Sequence, residues 1–472
     1  FSIKEKQSVA NRLFKRRSKG RLQISKMISR EAYEEKKEKL ISQIKASKSN
    51  GTLALNKKTS NLFRHRNQKQ MRRIDVRKFN NVIDVDTKNG IAEVEGMTTY
   101  DELVRETLRK GFLPTVVPQL KSITIGGATT GVGIESSSFK FGLVHETILE
   151  VEIILSDGSV VVATPTNEHK ELFFGFPNSY GTLGYALKLK VKIIPAKKYV
   201  RLEHIKFSDD KEFFEQMQKI CDAKKVDFVD GTIFHRKEMY ITTGTFVDRA
   251  PYTSDYTYMN IFFKSLQKRS KDYLKVKDYI WRWDTDWFWC SKHFFVQNPL
   301  VRFFVGRKRL TSVTYSKIRS WHHKQKFLSS ITRLFGRKES VVQDVEIPVE
   351  NCSAFMDFFH KVIKIKPVWV CPLRTLNKKV SFPLYPMDAD KLYVNFGFWD
   401  VIPTTKKDGF YNRVIEKQVK SLSGKKSLYS TSFYGEKEFW ELYNKKEYVK
   451  LKKKYDPDKN FLDLYEKCVQ RR

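Results

Sequence analysis

Between Ser122 and Gly158 the chain reads SITIGGATTGVGIESSSFKFGLVHETILEVEIILSDG. Gly126, Gly127, Gly131 and Gly133 fall within eight residues, with Thr124, Ile125 and Thr130 among them and Ser136, Ser137, Ser138, Gly142 and Val144 close behind. Glycines at this density let backbone N–H groups converge on a bulky anion and permit positive φ. The hydroxyls add donors, and a diphosphate suits that chemistry. A glycine-rich structural turn satisfies the same spacing, so residue types alone leave both open. A second pair, Gly181 and Gly184 around Thr182, precedes the alternating run ALKLKVKII; close approach to a ligand and a plain turn into a strand fit equally. Neither common phosphate signature is present. There is no G-x-x-x-x-G-K-[ST], and Gly131-x-Gly133 has no Gly or Ala three residues on.

Candidates for proton transfer are few. Glu135 sits inside GIESSS, where a backbone-capping carboxylate is the alternative role. His145 is a ligand partner or a core histidine. Tyr434 and Glu441 lie near the C-terminus, and Tyr393 and Asn395 share one face of an expected strand. Of these, Glu135, Tyr434 and Tyr393 are the chosen acids.

The elements that must position these groups read as follows. Residues 74–95 alternate, with Asn89-Gly90 as a hairpin signal. Thr98 is expected to cap a helix ended by Gly111. The glycine loop follows, backed by the strand from Ile148 to Leu155 and the Asp157-Gly158 turn. Strands and short helices alternate to about Val200, giving an α+β domain. Pro195 marks a boundary. Beyond it come a helix, DKEFFEQMQKICD, and the strands VDFVDGTIF, EMYITTGTF, KPVWVCPLR and KLYVNFGFWD. Residues 434–455 read as helical. The resulting division is 1–45, a basic helical segment; 46–200, the ligand domain; 201–430, a second α+β domain; and 431–472, a segment returning to the first.

A formal charge of +36 over 472 residues predicts attraction to an anionic membrane or to nucleic acid. A composition that simply favours lysine produces the same number. No RRM, KH, zinc-finger or helix-turn-helix signature appears, so no specific nucleic acid is expected. KRRSKGR (15–21) is a basic patch. Residues 256–305 interleave Trp281, Trp283, Trp287, Trp289, Phe294, Phe295, Phe303 and Phe304 with Arg, Lys and His. Core packing, an apolar substrate lining and a bilayer interface all fit. Five widely spaced cysteines without C-x-x-C argue against a disulfide scaffold and zinc, and no metal is expected. No run of 18 apolar residues occurs.

GVGIESSSFKFGL, KELFFGFPNSYGTLG (170–184), KLKVKIIPAKKYVRL (188–202) and FYGEKEFWELYNKKEYVKLKKKY (433–455) resemble the Δ24-sterol reductases, within the FAD-binding PCMH-type or vanillyl-alcohol-oxidase superfamily. The likeness runs from about Asn80 to Cys468. It implies a two-part PCMH-type FAD domain with an α+β substrate or cap domain. It also implies non-covalent FAD, held at Thr124, Ile125, Gly126, Gly127, Thr130, Gly131, Gly133, Ser136, Ser137, Gly142, Val144, Gly181, Thr182 and Gly184. The superfamily's first flavin loop falls at 51–68, where Lys57, Lys58, Thr59, Ser60, Asn61, Arg64 and Arg66 stand in place of its glycines; His65 lacks the context of a covalent flavin link. The implied reaction is reduction of an isolated C=C in a sterol or isoprenoid side chain, with NADPH or NADH as reductant. The resemblance further implies a membrane-associated protein facing the cytoplasm, at the endoplasmic reticulum in a eukaryote, where members of the family commonly carry an N-terminal anchor. Alternatives are an FAD-dependent oxidase or dehydrogenase of an alcohol or lactone, and a basic membrane- or nucleic-acid-binding protein with a degenerate flavin site.

Overall fold

The computed structural model describes residues 27–46, 51–57, 60–64, 71–324 and 337–470, with side chains undescribed at 319–324. KRRSKGR, Lys58, Thr59, His65 and Arg66 therefore lie outside the described residues.

Helix α1 (Arg30–Ala46) follows Ser29, whose Oγ accepts the Ala32 N–H at 3.2 Å. It buries Tyr33, Leu40 and Ile44, turns Lys36 and Lys37 onto the buried carboxylates of Glu95 and Glu152, and leaves most of its other charges outside. β1 (Leu53–Asn56) and β2 (Arg72–Asp75) form a parallel pair. The next sheet is built from β3 (Val82–Asp86), β4 (Ile91–Glu95), β5 (Phe112–Pro114), β6 (Ile148–Ile154), β7 (Val160–Ala163) and β8 (Tyr185–Pro195). Its order is β3-β4-β8-β6-β7, with β5 on β8. The expected hairpin joins β3 to β4, with Gly90 at φ 67°. β8 alternates buried and half-buried residues almost to its end, as ALKLKVKII requires of a sheet with one apolar face.

Helix α2 (Tyr100–Arg109) is capped by Thr99 rather than Thr98. Thr98 is fully buried and its hydroxyl donates to the Asn81 carbonyl at 2.8 Å, which ties the turn to β3. Thr99 is then the extended residue whose oxygen meets the Glu102 N–H. Helix α3 (Ile125–Thr130) carries the first two glycines of the loop.

A second sheet of eight strands contains β9 (Tyr199–Phe207), β10 (Phe228–His235), β11 (Glu238–Val247), β12 (Lys271–Lys275), β13 (Lys338–Pro348), β14 (Val368–Leu373), β15 (Tyr393–Pro403) and β16 (Lys425–Lys426). Its order is β12-β9-β11-β10-β14-β15-β13-β16. The pairs for which register is defined are antiparallel. Helices α4 (Asp210–Ala223), α5 (Pro299–Val305) and α6 (Phe410–Ser421) come from this part of the chain. One core cluster, with Phe213, Phe355, Phe396 and Ile415, covers one face of the sheet. The opposite face joins the core of the first part, where Trp369 and Tyr393 meet residues such as Val144 and Leu183.

The 434–455 stretch is two helices rather than one. Glu436–Leu442 ends before Asn444, which sits at φ 54° and caps α7 (Lys445–Tyr455). Tyr434 precedes both. From there the chain reaches back to the first part: Lys452 Nζ donates to the Thr182 carbonyl at 2.9 Å, and Asp456 accepts from Ser156 at 2.6 Å.

Candidate functional site

A cleft opens between β1, the start of α3, the 180–186 turn and the C-terminal segment. Leu53, Leu55, Leu62, Met97 and Leu462 give it apolar walls, and Lys57, Arg73 and Lys467 bring positive charge. Gly126, Gly127 and Thr130 line one side, and Gly181 and Gly184 the other. A Cβ on Gly126 would stand 2.7 Å from the Gly96 carbonyl oxygen, so glycine is required for α3 to lie against the end of β4. Gly127 is exposed to the cleft. The opposite turn is held in unusual conformations: Asn178 and Tyr180 have φ of 61° and 50°, and Gly181 and Gly184 of 74° and 131°. Left-handed asparagine and tyrosine store strain that persists where the surroundings fix a functional shape.

The residues present fit an FAD. Arg64 lies with its guanidinium 4.9 Å from the centre of the Tyr180 ring, and Tyr180 is itself part of the cleft wall. Arg64 is 5% exposed, yet its Nε and Nη2 have no hydrogen-bond partner. Buried guanidinium donors without a partner are costly, and a diphosphate is the kind of anion that would satisfy them. The glycines leave room for it, and the apolar walls suit a ring system.

A second hollow, about 400 Å³, lies against Gly90, Thr115, Phe141 and Ile193. Lys192 is the one ionisable side chain on its lining, so it offers little chemistry and the site is placed at the glycine cleft.

Several of the expected cofactor residues lie behind the cleft rather than on it. Thr124 caps α3, its Oγ1 accepting the Gly127 N–H at 3.2 Å, and Ile125 is fully buried core. Gly131 ends α3 beneath Tyr180. Gly133 packs against Val144, Ala128 and Pro118. Ser137 donates to the Thr115 carbonyl at 2.7 Å. Gly142, at φ 74°, faces the Glu146 carboxylate. Thr182 is fully buried and donates to the Ser179 carbonyl at 2.8 Å. His145 packs edge-on against Phe382, 4.3 Å between ring centres, and burial pushes its pKa down to about 3.

The three expected acids occupy three different settings. Glu135 is 2% exposed and belongs to a buried charge cluster. Arg282 Nη2 reaches Glu135 Oε1 at 3.2 Å and Asp230 Oδ2 at 2.6 Å. Ser136 donates to Glu135 Oε1 at 2.8 Å, and Trp283 and Trp369 both donate to Asp230. The Tyr279 ring lies 4.1 Å from the guanidinium centre. Burial pushes Glu135 up to about 7; Arg282 opposes the shift and Asp230 adds to it. Its Oε2 is buried without a partner. Tyr434 instead lies beside Tyr443, 6.3 Å between rings, with the Lys426 ammonium 5.7 Å from its centre. Lys426 is paired with Glu416 at 2.5 Å, and burial raises the Tyr434 pKa well above its usual range. The Tyr393 hydroxyl accepts the Asp388 N–H at 3.1 Å, which ties down the loop before its own strand.

Residues 35–164 match the family model described as an FAD binding domain. The Delta(24)-sterol reductase of Mus musculus is 29% identical over 404 residues, covering 82% of this chain and 76% of that protein. The Delta(24)-sterol reductase homolog dhcr-24 of Caenorhabditis elegans is 26% identical over 422 residues, 83% of this chain and 78% of its own. The chain is a homologue of the Delta(24)-sterol reductases. Cytokinin dehydrogenase 1 of Arabidopsis thaliana is 26% identical over 147 residues, 31% of this chain and 25% of that protein. The chain is accordingly an FAD-binding oxidoreductase of PCMH-type architecture, with a β-rich cap.

In this reductase homologue, sequence reasoning missed a pair of buried carboxyls. Asp344 and Glu346 are two apart on β13, so they share the face turned toward the first domain. Burial pushes Asp344 up to about 6 and Glu346 to about 8. Tyr385 donates to Glu346, and Asn395 Nδ2 to Asp344 at 3.0 Å. The signal available was two acids spaced i, i+2 within the apolar strand VVQDVEIP. Arg282 and Asp230 had no such signal, since each is ordinary in its local sequence.

Proposed function

We propose that the chain is an FAD-dependent reductase that saturates an isolated trisubstituted C=C in a sterol or isoprenoid side chain, with NADPH or NADH as reductant. The observation that carries this reading is the extent of the likeness. Similarity to Delta(24)-sterol reductases covers 82% of the chain, whereas cytokinin dehydrogenase 1 shares 31%. A shared flavin domain alone is compatible with many reactions. Similarity over 82% of the chain reaches well beyond the flavin domain and favours a shared substrate class as well. Residues 201–430 would then enclose the hydrocarbon, by apolar burial.

When bound and reduced, FAD supplies the hydride that side chains cannot. The cleft glycines would admit its diphosphate, with Lys57, Arg73 and Lys467 on the lining and Arg64 behind Tyr180 supplying positive charge, and Leu53, Leu55 and Met97 an apolar wall. An unactivated alkene also needs a proton, delivered to the carbon that leaves positive charge on its more substituted neighbour. Glu135 suits that donation: its carboxyl is held near pKa 7, so a substantial fraction is protonated at neutral pH. Ser136 and Arg282 fix one oxygen and leave the other unpartnered. Tyr279, Trp283 and Trp369 surround the cluster and exclude water. Tyr434, and less directly Tyr393, are alternative donors. A membrane-bound location facing the cytoplasm, at the endoplasmic reticulum in a eukaryote, belongs to the same proposal, because the substrate is a membrane lipid.

The test is anaerobic. The FAD-loaded protein is reduced with NADPH, and a desmosterol-like alkene is added. Reoxidation of the flavin with formation of the saturated product is expected. Flavin that ignores sterol and isoprenoid alkenes, but is reduced when an alcohol or lactone meets the oxidised protein, would transfer the chain to the oxidase reading.

A further inference from the structure

Helix α5 is inside out. Its one charged residue, Arg302, is 1% exposed and pairs through both terminal nitrogens with Asp286, at 2.6 and 2.9 Å. Its Nε donates to the Tyr258 carbonyl. The apolar residues Leu300, Phe303 and Phe304 point outward, 72%, 60% and 79% exposed, and Phe295 just before the helix is 77% exposed. Met259 is also exposed nearby in the chain segment that Arg302 grips. Four large, strongly exposed apolar side chains within ten residues are unusual on a soluble surface, where such groups scatter singly.

The patch is rigidly mounted. Asn298 caps α5 by accepting the Leu300 N–H at 2.9 Å, and Pro299 starts it. Beneath it, Trp287, Val296, Leu310 and Tyr315 form a separate core, with Trp287 and Phe294 stacked on Tyr315. The exposed face is therefore displayed by a fixed platform. Directly after it come the cations Arg307, Lys308 and Arg309 on the surface, and then Lys317 and the exposed Ile318 of the following helix.

We infer that this surface, Phe295 with Leu300, Phe303 and Phe304, inserts into the interface of an anionic bilayer, with Lys308 and Arg309 on its rim contacting headgroups, while the neighbouring Arg307 is held by Asp255 at 2.7 Å. Aromatic and leucine side chains flanked by Lys and Arg are the composition of an interfacial anchor. A second copy of this chain suits the surface less well. Two-fold pairing through α5 would bring like-charged rims together, on molecules that each carry a formal +36. The inference deepens the membrane-bound location proposed above by naming the surface that docks.

The test is vesicle flotation of the full chain, using phosphatidylcholine vesicles with and without phosphatidylserine. The Leu300→Ser, Phe303→Ser, Phe304→Ser triple variant is expected to bind about 30-fold more weakly or worse, with melting temperature and flavin content unchanged. Lys308→Glu with Arg309→Glu is expected to abolish the gain from phosphatidylserine attributable to the rim and to lower the salt sensitivity of binding. Phe304→Trp places a reporter on the patch, and brominated lipid is expected to quench it beyond the quenching of the parent chain. A triple variant that floats as the parent does, or a Phe304→Trp variant quenched no more than the parent, overturns this surface while sparing a membrane-bound location through another segment. A parent chain that binds neither vesicle overturns both. A parent dimer that the triple variant dissolves, measured by light scattering, assigns the patch to a second copy and overturns the inference.

Discussion

Glu135 carries the sharpest residue-scale prediction, because it can be separated from its competitors by which half-reaction slows. Glu135→Gln, Tyr434→Phe and Glu346→Gln are compared after each is brought to full FAD occupancy. The true proton donor should leave reduction by NADPH near normal and slow reoxidation by the alkene roughly 100-fold or more. A variant that reoxidises at the parental rate is not the donor. At the cofactor, Gly127→Val should lower FAD retention. Its Cβ meets the Thr124 hydroxyl at 2.8 Å, and its branches enter the cleft. Absorbance of purified protein, and release of flavin into the supernatant on acid precipitation, measure occupancy and the non-covalent mode together. The glycine spacing made this loop visible in the sequence, but not the division of labour within it. Gly133 is glycine because side chains crowd it and Gly126, at the cleft edge, because the Gly96 carbonyl does, while Gly127 is exposed to the cleft. Composition cannot tell a glycine needed by the protein from one needed by its ligand.

At the scale of elements, what was legible depended on whether the cause was local. The Asn89-Gly90 hairpin, the alternation of β8 and the amphipathic α4 are written in short windows, and each appears as read. The break at Asn444 was missed because helix-forming residues lie on both sides of it, and its own left-handed backbone is the signal. The 256–305 segment was ambiguous for a different reason. Its tryptophans are buried and its phenylalanines at 295, 303 and 304 are exposed, and only tertiary packing separates them. The Glu135–Arg282–Asp230 cluster joins residues 147 and 52 positions apart, beyond any periodicity. That cluster yields a stability prediction. Arg282→Leu leaves two buried carboxylates without their cation and should cost about 3–5 kcal/mol in chemical denaturation. Thr99→Ala, which removes the α2 cap alone, should cost about 1 kcal/mol.

For the whole molecule, the buried ionisable groups set a pH dependence that opposes the usual expectation of greater stability toward neutrality. Burial raises Glu135 to about 7, Glu146 to about 7, Asp344 to about 6 and Glu346 to about 8. A carboxyl whose folded pKa lies above its unfolded value contributes stability that is complete below the unfolded value, near 4, and is lost as pH rises through the folded one. Buried His145 and His204, lowered to about 3 and about 4, act in the other direction: their contribution is complete above about 6.5 and declines as pH falls. The half-buried His360, also lowered by burial, joins them, and the four groups favouring the acid side outweigh these three favouring the neutral side between about pH 5 and 7. Stability of the flavin-free chain should therefore fall across that window and continue to fall, on Glu346 alone, to about pH 8. Urea midpoints measured from pH 5 to 8 should show the decline. Glu346→Gln should flatten its upper part and Glu135→Gln its middle, since a glutamine has no proton to lose. A midpoint that rises steadily from pH 5 to 7 would mean that burial does not hold these carboxyls above the usual carboxylate range, and it would remove the basis for Glu135 as a neutral-pH proton donor.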